Sequence, residues 1–79
     1  MEVEVRLFAT FREYLPSRSD GFSFKKEFSQ EMEVGKIAQE LKLPEDVPKI
    51  FVVNGNVVTT DYVARDGDVV SIFPPVAGG

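Results

Sequence analysis

Seventy-nine residues are enough chain to close one small core and no second, and a hydrophobic share of 43% is that of a folded domain rather than a disordered segment. Cysteine and histidine are both absent, which excludes disulfides, thiolate or imidazole metal sites and the usual nucleophile–base pairs, so catalysis by this chain's own side chains alone is not expected. A formal net charge of -4 disfavours nucleic acid, which attracts basic surfaces, and suits a basic protein partner.

Residues 2–9 alternate, with Val3, Val5, Leu7 and Ala9 on one side and Glu2, Glu4, Arg6 and Phe8 on the other, the pattern of a half-buried strand. Thr10 with Glu13 three residues on has the spacing of a capping box, and predicts a short helix over residues 10–15 that Pro16 closes. Residues 17–21 are turn chemistry. A second alternating run follows, with Phe22, Phe24 and Phe28 expected on one face beside Lys26, and the simplest placement is a strand folded back on the first. These phenylalanines read as core, and Lys25 and Lys26 as a solvated strand edge.

Over residues 33–43 the period changes, because Val34, Ile37, Ala38 and Leu41 fall at i, i+3, i+4 and i+7 and form one stripe of an amphipathic helix. Gly35 inside that stripe costs about 1 kcal/mol relative to alanine, which points to close packing or a loose first turn. Pro44 stops the helix, and residues 44–48 form a connector whose Glu45 and Asp46 read as solvated acids rather than a general acid/base pair. Residues 50–53 are a continuous apolar run, Asn54-Gly55 is a tight-turn pair, and Val57 and Val58 return as a short strand. Asp66-Gly67-Asp68 is another turn; the oxygen side chains of residues 59–68 lack the ligand spacing of a calcium loop, so no metal site is expected. The final strand has Val70 and Ile72 on one face and Val69, Ser71 and Phe73 on the other. Strands, one long helix and more strands make an α+β two-layer domain, a single mixed sheet packed on one main helix.

After Phe73 the chemistry changes. Pro74 and Pro75 fix φ and lack a backbone N–H, so no regular ladder continues through them and the chain is expected to leave as an extended segment. Val76, Ala77, Gly78 and Gly79 are small or slim, and an end without Cβ atoms at its last two positions fits a channel too narrow for side chains, with the terminal carboxylate leading. No apolar run approaches the about 20 residues that span a bilayer and no basic-then-apolar leader opens the chain, so a cytoplasmic protein is expected.

This order of elements resembles the ubiquitin-like β-grasp fold. Leu7-Phe8-Ala9 with Arg12-Glu13, Val53-Asn54-Gly55, residues 66–70 and above all Phe73-Pro74-Pro75-Val76-Ala77-Gly78-Gly79 resemble the sulfur-carrier branch that includes the small subunit of molybdopterin synthase. The paired prolines favour that carrier over the one of the thiamin pathway. The resemblance implies a β-grasp domain over residues 1–73 and a flexible tail over residues 74–79. It implies that Gly79, preceded by Gly78, is the reacting position: an adenylating enzyme with MgATP makes an acyl-adenylate, a sulfur donor protein displaces AMP, and the resulting thiocarboxylate attacks a cyclic pyranopterin precursor in molybdenum cofactor biosynthesis. A larger catalytic subunit would supply the pocket. The chain itself would bind no cofactor, no nucleic acid and no membrane, and would be non-catalytic alone.

If the first and last strands are neighbours, outward Phe8 and Phe73 form an apolar patch at the base of the tail, a docking surface together with Pro74, Pro75, Val76 and Ala77. Phe8 reads equally as covered by the domain's own loops. Two other functions fit the same ending: a ubiquitin-like modifier joined through Gly79 to lysines, and an interaction module whose tail is inert.

Overall fold

The N-terminal alternation becomes strand β1 (Glu2–Leu7) in the computed structural model, which describes residues 1–75. Val3, Val5 and Leu7 are buried as expected, but Ala9 is exposed, because the strand ends at Leu7 and Ala9 turns the chain with a φ of 53°. The predicted short helix forms as a 3₁₀ helix over Ala9–Tyr14, entered from Phe8 without any side-chain cap, so the Thr10–Glu13 capping box does not form. A left-handed residue at its entrance and Pro16 at its exit leave room for the tighter winding only. Its role is to seat Phe11, 1% exposed, in the core.

Strand β2 (Ser23–Glu27) pairs antiparallel with β1, Val5 opposite Phe24 and Glu4 opposite Lys25. Phe24 and Phe28 are buried, but Phe22 is not on their face: it lies in the turn ahead of β2, where alternation does not apply, and is 41% exposed. A two-residue strand, β3 (Met32–Glu33), leads into helix α1 (Val34–Glu40). Val34, Ile37 and Ala38 form the buried stripe. The helix is shorter than predicted because Lys42 takes φ 66° and the chain closes as a Schellman cap: Lys42 N–H donates to Gln39 and Leu43 N–H to Ala38, which folds Leu43 back into the core.

Strands β4 (Ile50–Val53) and β5 (Asn56–Val58) form a hairpin through Asn54 and Gly55, both at positive φ, the backbone that a two-residue hairpin turn requires. Strand β6 (Val63–Ala64) pairs with β3, and β7 (Val69–Phe73) is the last among the described residues. The main sheet runs β2-β1-β7-β4-β5, with β7 parallel to β1 and antiparallel to β4. Val70 and Ile72 are fully buried in its centre. The core, from Val3 to Ile72, lies between one face of this sheet and α1. This is the ubiquitin-like β-grasp.

Gly35 sits in the first turn of α1 because the chain packs on it: its N–H donates to the Thr60 carbonyl at 2.9 Å, and an added Cβ would run into the Thr60 methyl. Gly35→Ala is therefore expected to lower stability, an overpacking penalty of about 1–3 kcal/mol exceeding the gain of up to about 1 kcal/mol in helix propensity. Thr60→Ser removes the obstructing methyl and should restore part of the loss in the double variant. Denaturant melts of the single and double variants measure that coupling.

Candidate functional site

The parallel pairing of β1 with β7 places Leu7 opposite Ile72, and the ladder runs one step further, with Phe8 N–H donating to the Ile72 carbonyl. Phe8 and Phe73 thereby come side by side on the outward face of the sheet. Their rings stack, centroids 4.2 Å apart and planes 9° from parallel. Phe22 reaches the same patch, its ring centroid 5.1 Å from that of Phe8. On the other flank Ile50 is the register partner of Phe73 and is 43% exposed. Four apolar side chains thus cross the ends of four neighbouring chain segments at the end of β7 where the tail begins.

Phe8 is half-buried, and one of its neighbours, Phe22, comes from the domain's own turn, while the row as a whole faces outward. Phe22 and Ile50 were not legible as members of this surface. The signal for Ile50 lay in the register with Phe73; that for Phe22 lay in its position directly after Gly21, inside the turn. Strand β7 ends at Phe73, and Pro74 is half-buried while Pro75 is exposed. Val76, Ala77, Gly78 and Gly79 lie outside the described residues.

Behind the aromatic row the outward face is polar. Arg6 Nε donates to Glu4 Oε2 at 2.7 Å. That hydrogen bond, aided by the guanidinium charge, holds the Glu4 carboxyl below the usual glutamate range against the opposing effect of desolvation.

The acids of the last turn have structural partners. Asp66 accepts from Glu2 N–H, and Asp68 accepts from the Asn54 amide, from Arg65 N–H and from the Tyr62 hydroxyl, tying the hairpin to the start of β7. On the helix side of the sheet, away from the aromatic row, a cleft of about 240 Å³ opens between Ala38, Leu43, Val47, Lys49 and Phe51. Lys49 already donates to the Pro44 and Val47 carbonyls there. Among the described residues no cluster of three acidic side chains gathers as a metal site, and no helix is long and apolar enough to cross a membrane.

Known proteins share this fold. The chain is 40% identical over 92 residues to small archaeal modifier protein 3 of Haloferax volcanii, across the full length of both. It is 30% identical to a solved structure described as a putative molybdopterin converting factor, subunit 1, from Pyrococcus furiosus, covering 95% of this chain and 98% of that one with a TM-score of 0.71. It is 26% identical, over the whole of both chains and with a TM-score of 0.62, to a chain in the complex of subunits 1 and 2 of molybdopterin-converting factor from Helicobacter pylori. Residues 5–79 match the ThiS family, and the chain belongs to that family of ubiquitin-like sulfur carriers and modifiers.

Proposed function

We propose that this chain is the sulfur-carrier subunit of a molybdopterin synthase, with residues 1–73 as the presenting domain and residues 74–79 as the working tail. The observation that carries this reading is the ending Phe-Pro-Pro-Val-Ala-Gly-Gly issuing beside a row of outward aromatic side chains. The likeness to subunit 1 of two molybdopterin converting factors supports it.

In this reading the Gly79 carboxylate attacks the α-phosphorus of ATP on an adenylating enzyme, and pyrophosphate leaves. Sulfide delivered by a donor protein then attacks the acyl carbon, AMP departs, and a thiocarboxylate remains. The thiocarboxylate sulfur attacks a carbon of the cyclic pyranopterin precursor in the larger subunit and displaces the oxygen substituent of that carbon, whose C–O bond breaks with the electron pair leaving on oxygen. Water cleaves the resulting thioester, leaving sulfur on the pterin and a carboxylate on Gly79, and a second charged carrier repeats the transfer to complete the dithiolene. The domain contributes recognition, and the tail contributes an end slim enough to enter a closed site.

A second reading is favoured by the relative named as a modifier: the same adenylate passes Gly79 to a lysine amine as an isopeptide. Reconstitution separates the two. The chain, an adenylating enzyme, MgATP and a sulfide source are incubated, and the larger subunit with its precursor is then added. A dithiolene product that consumes the thiocarboxylate is expected; absence of that product, with isopeptide conjugates of the chain forming in host extract, would overturn the first reading in favour of the second.

A further inference from the structure

We propose that Arg6 is a recognition residue of the docking face, receiving a carboxylate of the larger subunit beside the aromatic row; this rests on the sulfur-carrier reading. Arg6 of β1 is two residues before Phe8, whose backbone just past the strand is still extended, and so lies on the same side of the sheet. It lies opposite Ser71 of β7, itself two residues before Phe73, and opposite Ser23 of β2. The stacked pair is therefore its immediate neighbour, and the residues flanking it across both ladders carry only short hydroxyl side chains.

Glu4 fixes the guanidinium through Nε, leaving the four terminal N–H donors without an acceptor among the described residues, on a side chain 40% exposed. The ion pair does not by itself explain an arginine here, since an exposed pair contributes little to stability. A planar fork held in one orientation next to aromatic rings is instead the kind of group that anchors an interface, and its geometry selects a carboxylate.

Charge gives the contact its register. Glu2, Glu4 and Glu27 point to the same side of the sheet, and Lys25, opposite Glu4, stands one row further from the aromatic row. A partner carboxylate aligned with Arg6 meets a cation, whereas a docking slipped along β1 toward Glu2 sets it against acids. Like-charge juxtaposition of that sort rejects misdocked arrangements.

The test uses the full chain and the purified larger subunit of the host's molybdopterin synthase. Dissociation is followed for wild type, Arg6→Met, Arg6→Lys and Phe73→Asp, with thermal melts confirming that each is folded. Arg6→Met is expected to dissociate about tenfold faster, with the gap narrowing as salt is raised. Arg6→Lys should recover only part of the loss, because an ammonium keeps the charge and lacks the fork. If Arg6→Met dissociates at the wild-type rate while Phe73→Asp weakens binding, the docking face stands and the role of Arg6 is overturned. If wild type does not bind the larger subunit at all, the sulfur-carrier reading and this proposal both fall.

Discussion

Deleting Gly79 alone is expected to abolish thiocarboxylate formation and sulfur transfer while leaving the thermal melt unchanged. Among the described residues the buried core runs from Val3 to Ile72 and the final strand ends at Phe73, several positions before the deleted residue. The reaction is not tolerant in the same way. A shortened tail still ends in a glycine carboxylate, but one residue removes up to about 3.3–3.6 Å of reach, and a displacement of 1 Å at a reacting centre is already enough to lower a rate on the order of a hundredfold. Turnover in the reconstituted system, read beside a melting curve, separates the two effects. An inert tail would leave turnover intact, and a tail needed for folding would lower the melting temperature.

Phe73→Asp carries the second large effect, and on binding rather than on chemistry. Phe73 is an inner member of the outward row, stacked on Phe8 and in register with Ile50. Replacing it with a carboxylate removes an aromatic anchor and leaves a charge to be desolvated on docking, which is expected to weaken the affinity for the larger subunit about a hundredfold or more. The domain itself should lose only the stacking and partial burial of one ring, about 1–2 kcal/mol, and remain folded. Gln39→Asp adds the same charge on the exposed side of α1 and should leave the affinity unchanged. Calorimetric titration of the three proteins against the larger subunit measures the contrast; equal affinities would remove the sheet face from the interface.

Where the chain obeys a simple period, its structure could be read from the residues. The i, i+3, i+4 stripe of Val34, Ile37 and Ala38 and the alternations of Val3, Val5 and Leu7 and of Val70 and Ile72 each bury the face they predict. Gly35 was legible for the same reason, since a glycine inside a helical stripe asks for a neighbour that needs its space, and Thr60 is that neighbour. The departures occur where a backbone angle, not a pattern, decides. Ala9 and Lys42 adopt left-handed conformations that neither residue type announces, and these set the 3₁₀ winding after β1 and the early end of α1. Phe22 left its expected face because it stands in the turn, and the apolar run of β4 could not reveal that Ile50 points outward until the pairing with Phe73 was known. The outward apolar row was half legible: the neighbouring first and last strands supplied Phe8 and Phe73, and tertiary register supplied the rest.

In the proposed reaction the chemical contribution of this chain is its terminal carboxylate. The direct measurement is the intact mass of the full chain after incubation with a competent adenylating enzyme, MgATP and a sulfide source, with fragmentation to locate any change. A gain equal to sulfur replacing one oxygen, confined to Gly79, is the predicted result. A chain that keeps its unmodified mass, under conditions in which the same enzyme activates another carrier, would contradict it.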